Sequence, residues 1–464
     1  MKTNQPKKNY LLLLYFIILL NYHSYAQCWT KIKTGDNYSI AIKDNGTIWA
    51  WGENNHGQLG DGTFINKNTP TQIGSDNDWL EVDVKTHHTV ALKSNGTLWA
   101  WGWNVSGQLD NGNTTDNNIP HQIGTDTDWN QIAAGRYNTM ALKSNGTLWA
   151  CGDNFAGQLG TGNQVSSLTM IQIGTDNNWS KIIMGAEYVV ALKNDGTLWS
   201  WGYNPLGGLG NGTSANQFLP AQVGTENNWA KIAAGAYHTI AIKNDGSLWS
   251  WGANFQGELG YDTGSSIAQN TPVQIGTSTD WSKIMAGSFH TLAIKNDGTL
   301  WTWGGNARGQ LGDGTTVNKN TPIQIGDTTD WTNISGGGFH TLALKSNSVL
   351  YTCGANDNLQ LGNESSSDSN VLVNVNCSNL NISDYDLNNT LSVFPNPTNG
   401  NFTILSKTAI ISNILIYDLQ GRMVLKNSLN SEIAQMDISS LEIATYIIKV
   451  VSDKSIELFK IIKY

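Results

Sequence analysis

Charge is scarce in this chain: Asp, Glu, Lys and Arg make up only 14% of its 464 residues. Set beside 49 Gly and 19 Trp, that scarcity argues against long charged helices and for many turns and packed aromatics. Basic residues are the rarer sign. The formal charge is −9, and removing the first 26 residues, which hold three lysines and no acid, leaves 36 acids against 24 bases, a balance of −12. Such a surface repels phosphate backbones, so no nucleic-acid partner is expected. Long apolar runs are also missing after residue 20, and a membrane-spanning helix needs about twenty apolar residues.

The first 26 residues read as a secretory signal. Lys2, Lys7 and Lys8 form a basic start, Leu11 to Leu20 an apolar run, and Ser24-Tyr25-Ala26 places small residues for cleavage between Ala26 and Gln27. Acylation of Cys28 is the alternative, but it would leave bulky Gln27 at the residue before the modified cysteine. The mature chain is expected to be exported and soluble.

Beyond the signal, one pattern dominates. Trp29, Trp79, Trp129, Trp179, Trp229, Trp281 and Trp331 recur every fifty residues, with one step of fifty-two. Two more series run through Trp49, Trp99, Trp149, Trp199, Trp249, Trp301 and Tyr351, and through Trp51, Trp101, Cys151, Trp201, Trp251, Trp303 and Cys353. Only Trp103 falls outside these registers. A fixed period of this length means a propeller or a solenoid. Four strands are expected per period. The first contains Ile32 or its equivalents, the second is like Thr291–Lys295, the third is like Thr299–Trp303, and the fourth is the Gln-Ile-Gly run, as at Gln122–Gly124. Asn45-Gly46, Asp297-Gly298 and their equivalents predict a type I′ turn between strands two and three, where both central residues take φ > 0. Stacked in a ring, such units bury their alternating apolar faces. A buried large apolar side chain is worth roughly 2–3 kcal/mol, so the register tryptophans read first as core.

The repeat, Gly-x-x-His-Thr-x-Ala-Leu/Ile-Lys followed by Gly-Thr-Leu-Trp-x-Trp-Gly-x-Asn-x-x-Gly-Gln-Leu-Gly, resembles the regulator of chromosome condensation repeat family. The resemblance covers residues 28–377 in seven copies and implies an all-β, seven-bladed β-propeller, here bounded as 27–377. Lys85 stands where other copies have the first glycine, so a local distortion of blade two is expected. Asp110, Ser348 and Leu359 replace other repeat glycines. The founding member of the family exchanges nucleotide on a nuclear GTPase; an exported acidic chain has no access to it, so no GTPase partner is expected.

Cys28 and Cys377 flank the one junction of the ring that the chain does not make, and a disulfide between them is expected in an oxidising compartment. Closing a loop of about 350 residues could contribute on the order of 5 kcal/mol. Non-reducing peptide mapping that found both thiols free would refute it. Cys151 and Cys353, in blades that are not neighbours, read as small buried thiols.

Residues 378–390 read as a polar linker, and 391–464 as a separate small β-sandwich. That tail is similar to the type A C-terminal sorting domain of the type IX secretion system. The matching residues are Pro395, Asn396, Pro397, Gly400, Phe402, Asp418, Gly421, Tyr446, Lys460 and Lys463. The resemblance implies the type IX machinery as partner, and a secreted or cell-surface address outside a Gram-negative outer membrane.

No catalytic set stands out as an exception in one blade, and no cofactor is expected. His88, His238, His290 and His340 track one repeat position, where hydrogen bonding accounts for them better than metal does. Asp76-Asn77-Asp78 and Asp126-Thr127-Asp128 lack the glycine and closing Glu of a calcium loop. His87 and His121 read as isolated surface residues. What varies within the fixed frame is the loop after each Trp/Cys-Gly. There Trp103, Phe155, Tyr203, Leu206 and Phe255 form a candidate binding rim, because large aromatics on loops of a rigid scaffold are common anchors. The expectation is a non-enzymatic module engaging an unidentified protein or glycan; the alternative is a secreted polymer-degrading enzyme with a site near the propeller axis.

Overall fold

The computed structural model describes residues 29–375 and 391–464, apart from 263, 265–266, 407–408, 419–421 and 454–455. The signal segment, Cys28, Cys377, Gly421 and the linker lie outside the described residues, and so does the expected disulfide. The chain divides into two compact units, Met1–Cys377 and Ser378–Tyr464. All of the described regular structure is strand.

The first unit holds seven four-stranded antiparallel sheets, each made from four consecutive strands; they are called blades one to seven in chain order. Blade six is typical, with strands Trp281–Ala286, His290–Lys295, Leu300–Gly304 and Lys319–Gln324 running from the axis outward. The first strands touch one another in a closed cycle, Trp29–Thr34 lying against Trp331–Gly336. Ring closure is therefore a packing event. Trp29, Ile32, Trp49 and Trp51 of blade one share a core with Leu342, Leu344, Leu350 and Val375 of blade seven.

Second strands are buried on both sides; every residue of Tyr38–Lys43 is. The fourth strand starts earlier than the Gln-Ile-Gly run suggests and ends within it, at the Gln in most blades and at Ile123 in Asn117–Ile123. As the outer edge of its sheet it tolerates Pro70, Pro120, Pro220, Pro272 and Pro322, whose missing N–H costs nothing on an unpaired edge.

Tryptophans of the third strand rivet blade to blade. Trp201 Nε1 donates to Gln158 O at 3.0 Å, Trp251 to Gly208 O at 2.9 Å, and Trp51 of blade one to Gln360 O of blade seven at 3.0 Å. At five of the seven junctions the last glycine of the loop after the third strand makes room for the next blade's tryptophan, and a Cβ at Gly60 would lie 2.6 Å from Trp101 Nε1; Gly312 faces Cys353 instead. Asp110 breaks this rule in blade two, with φ of 56°, and the facing residue in blade three is Cys151 instead of Trp. The two departures are one. The smaller neighbour admits a carboxylate, which accepts a hydrogen bond from Met170 N at 2.5 Å. Both Cys151 and Cys353 are buried free thiols; burial pushes the Cys353 thiol up to about 12.

The hairpin turns differ from expectation. Only the glycine has positive φ, as at Gly46 (76°), and Lys43 O accepts from Gly46 N while Lys43 N donates to Thr47 O. This is the three-residue loop closing on a left-handed glycine, the longer of the common hairpin solutions. Asn45 serves it by side chain, Oδ1 accepting from Thr47 N and Oγ1 at 3.2 and 2.7 Å. Ser348 takes the same conformation in blade seven with φ of 61°. The expected distortion of blade two is absent from its strand pairing, which keeps the register of the other blades.

In the second unit, sheets of three and four strands enclose a core built on Phe402, Ile404, Ile414, Ile416, Tyr446 and Ile448. The motif residues tie the first hairpin to the last strand. Asn396 Nδ2 donates to Lys460 O at 2.6 Å, and its Oδ1 accepts from Ile462 N at 3.0 Å. Lys463 Nζ is held by Ser439 O at 2.7 Å and by Leu441 O. A side chain at Gly400 would strike Ser439 Cα at 2.8 Å. Asp418 grips Arg422, Nε to Oδ2 at 2.7 Å, and Tyr446 OH donates to Glu442 O at 2.8 Å. Pro395 and Pro397 lie in the turn that this network fastens.

Candidate functional site

The loop after each third strand is rigid because one buried asparagine knits it. Asn104 Nδ2 donates to Asn111 Oδ1 at 2.9 Å and to Asn113 O and Thr115 O at 3.0 Å, while its Oδ1 accepts from Leu109 N at 3.0 Å. The residue before that asparagine pairs with the residue before the second strand: Trp103 N donates to His87 O and Tyr203 N to Glu187 O, both at 2.9 Å. These two positions in seven blades form a wreath around one end of the axis.

Five of its members in blades two to five are aromatic or His: His87, Trp103, Tyr137, Tyr203 and Tyr237. The Trp103 ring lies 5.4 Å from His87, 5.1 Å from Tyr137 and 5.0 Å from His56 of the adjoining loop, and Tyr203 lies 6.1 Å from Tyr237. On the opposite side Phe289 and Phe339 stack at 5.4 Å. Charge is interleaved: His56 Nδ1 lies 2.9 Å from Asp116, His87 Nδ1 lies 3.3 Å from Glu53, and Arg136 lies 3.5 Å from Glu187. Burial pushes the Glu53 carboxyl upward, but hydrogen bonds with His87, Asn37 and Asn55 outweigh it and hold it below its ordinary value.

The five rim candidates divide by position. Trp103 and Tyr203 are half-buried in the wreath, and Leu206 is half-buried beside it. Phe155 and Phe255, 78% and 50% exposed, stand at loop tips where blade two carries exposed Val105. His87 is no isolated surface residue but a member of the Trp103 cluster. The series Asn37, His87, Tyr137, Glu187, Tyr237, Phe289, Phe339 was missed because it precedes the repeat's histidine, in a slot treated as filler. Its run of aromatics was the available signal.

The register histidines form a belt instead of a metal centre. His88 Nε2 meets Thr139 Oγ1 at 3.0 Å, His238 meets Thr291 at 3.0 Å, His290 meets Thr341 at 2.9 Å, and His340 meets Ser39 of blade one at 3.0 Å. Tyr38 and Tyr188 do the same work with Thr89 and Thr239. Only the junction of Asn138 with Val189 lacks the bond. Among the described residues no three or more His, Cys, Asp or Glu side chains group as metal ligands. Asp76 and Asp78 instead clamp Lys93 at 2.5 and 3.1 Å, and Asp126 and Asp128 clamp Lys143 at 2.6 and 3.1 Å. His121 Nε2 meets Leu109 O at 3.2 Å.

Along the axis runs a channel of about 570 Å³. Its two acids are paired, Glu81 with Lys31 at 2.5 Å and Asp83 with Lys33 at 2.7 Å. Lys85, the glycine replacement of blade two, crosses the axis and donates to Ala234 O at 3.0 Å and Gly235 O at 3.4 Å in blade five.

A closed ring of four-stranded repeat sheets with a loop-built rim defines a β-propeller of the repeat-built kind. Its family is shown by the matched segments: residues 168–388 match the RCC1-like domain, residues 45–92 and 95–142 match the regulator of chromosome condensation (RCC1) repeat, and a second form of that repeat matches 29–58, 81–108 and 129–158. Residues 392–464 match the secretion system C-terminal sorting domain. The chain is thus an RCC1-type propeller carrying a type IX sorting tail, and the tail marks it for secretion or the cell surface. Human WBSCR16 is similar in structure at 18% identity and a TM-score of 0.65, covering 71% of this chain and 94% of that one. Prp20p from Saccharomyces cerevisiae, described for its binding to Gsp1p and histones, is 24% identical with a TM-score of 0.61, covering 66% and 80%. At these identities the likeness is one of fold. No curated protein matches the sequence.

Proposed function

We propose that this secreted propeller is a non-enzymatic binding module that engages a protein or glycan through its aromatic rim. One observation carries the reading: the rim concentrates aromatics that the blade frame does not need. The frame's own tryptophans are spent between sheets, whereas His87, Trp103, Tyr137, Tyr203 and Tyr237 line one end of the axis and Phe155 and Phe255 project from rigid loops. Preorganised aromatic surface of this kind binds at low entropic cost. The Gsp1p and histone binding of the yeast relative is not carried over, since a chain exported across the cell envelope does not meet nuclear partners. In this reading the exported form begins at Gln27 and is stapled at Cys28–Cys377.

The test is a pull-down and glycan array with the full chain against bacterial and host surface material. Trp103→Ala together with Phe155→Ala is expected to weaken the captured ligand by at least about tenfold while leaving the melting temperature within a few degrees. Undiminished binding by that variant would sink the rim reading, and release of reducing ends from a bound polysaccharide would turn it toward the enzyme alternative.

A further inference from the structure

The channel carries the opposite sign to the molecule that surrounds it. Five lysines and two carboxylates line it, and both carboxylates are already in ion pairs with lysines. Lys85, Lys181, Lys231 and Lys283 are in no ion pair among the described residues. Lys181, Lys231 and Lys283 occupy one register of the first strand in three successive blades, four to six, near the end of the channel away from Lys85. Lys231 and Lys283 each rest on a backbone carbonyl of the next blade, Ser282 O and Thr332 O, which leaves donors of each ammonium free. The Lys181 ammonium makes no hydrogen bond or ion pair among the described residues, and Lys181 also borders a neighbouring cavity of about 430 Å³ between blades four and five. Desolvation and the positive charge of Lys33 outweigh the attraction of Glu81 and Asp83 and push its pKa down.

We propose that the axial channel is an anion-binding pocket, entered at the Lys181–Lys231–Lys283 mouth and taking a small ligand with two or more oxyanion groups. Three ammonium groups at the entrance and the Lys85 ammonium across the far end give such a ligand cations along its length. The pocket volume suits a tripolyphosphate or a charged disaccharide and excludes a duplex, so local basicity coexists with an acidic exterior. Phosphate, sulfate and carboxylate groups share the chemistry, because each accepts charge-assisted hydrogen bonds from ammonium donors.

Calorimetric titration of the full chain at neutral pH and low salt, with inorganic tripolyphosphate, a disulfated disaccharide and digalacturonate in separate arms, tests this. One-site binding is expected for at least one probe, and the tightest arm identifies the oxyanion. Affinity falls steeply at high salt, where charges are screened within a few ångströms. The variant Lys181→Gln/Lys231→Gln/Lys283→Gln is expected to bind at least about tenfold more weakly, the corresponding Arg triple to retain binding, and Trp103→Ala to leave it unchanged. If the Gln triple fails to fold, Lys181→Gln alone, which removes no hydrogen bond, carries the test with a loss of about threefold or more. No saturable binding in any arm, or equal affinity in the folded Gln variants, overturns the proposal.

Discussion

Blades two and five share a frame and differ in almost everything they present. Trp79, Trp99 and Trp101 occupy the places of Trp229, Trp249 and Trp251, and His88 and His238 each bond the hydroxyl of the next blade at 3.0 Å. On the axis, however, blade two offers Glu81, Asp83 and Lys85 where blade five has Lys231, Ala233 and Gly235. On the rim it offers His87 and Trp103 where blade five has Tyr237 and Ala253. The Lys85 ammonium joins the two blades across the channel. The difference teaches that stability in this ring is set between sheets, by the second and third strands. The ends of the axis and its wall are left free to diverge.

Acid is the strongest way to test that division. Burial holds His88 neutral down to about 4, and His238, His290 and His340 down to about 3. The unfolded chain takes up these protons near 6.5, so stability is intact above that pH and falls as pH drops through the window toward 4. Each histidine contributes about 1.4 kcal/mol per pH unit there, and the four together on the order of 10 kcal/mol over two units. Denaturant melts between pH 7 and 4.5 should show this loss. His238→Gln and His88→Gln should each flatten the curve by about a quarter, because both rings stay largely neutral in the folded ring down to about pH 4.5. Equal slopes in parent and variants would break the belt's claim to be structural.

Exchanging the residues that distinguish the two blades sharpens the comparison. Gly235→Lys drives a Cβ to 2.2 Å from the His238 ring and 2.5 Å from Gly287 O, with an expected cost of at least about 3 kcal/mol in chemical denaturation. Lys85→Gly loses two hydrogen bonds to carbonyls and gains chain entropy in the unfolded state, a cost of about 1–2 kcal/mol. A Gly235→Lys protein as stable as Lys85→Gly would show that the two positions are interchangeable.

Much of this was legible in the residues themselves. Tryptophans at a fixed period pointed to the repeat sheets, and the variable loop series pointed to Trp103 and Tyr203. The turn type was misjudged because Asn-Gly suits two hairpin loops, and only the pairing of Lys43 with Thr47 distinguishes them. The lysine-lined channel was hidden for a physical reason. Lys181, Lys231 and Lys283 each stand singly in a first strand, between a small residue and an isoleucine, and only closure of the ring turns these strands toward one axis. Lys85 showed itself as an exception to the repeat, but its partner 149 residues away follows from the width of the ring, which no local pattern contains.

Asp110 and Cys151 carry a last consequence. Each blade supplies one half of a lock whose other half belongs to its successor: glycine against tryptophan at most junctions, carboxylate against thiol at the junction of blades two and three. Blade two lifted out and set before any tryptophan-bearing blade would bring Asp110 against a full indole. The piece of this molecule that can be inherited, exchanged or engineered as a whole is therefore the seam between neighbours, and the fifty-residue repeat is only the interval at which seams occur.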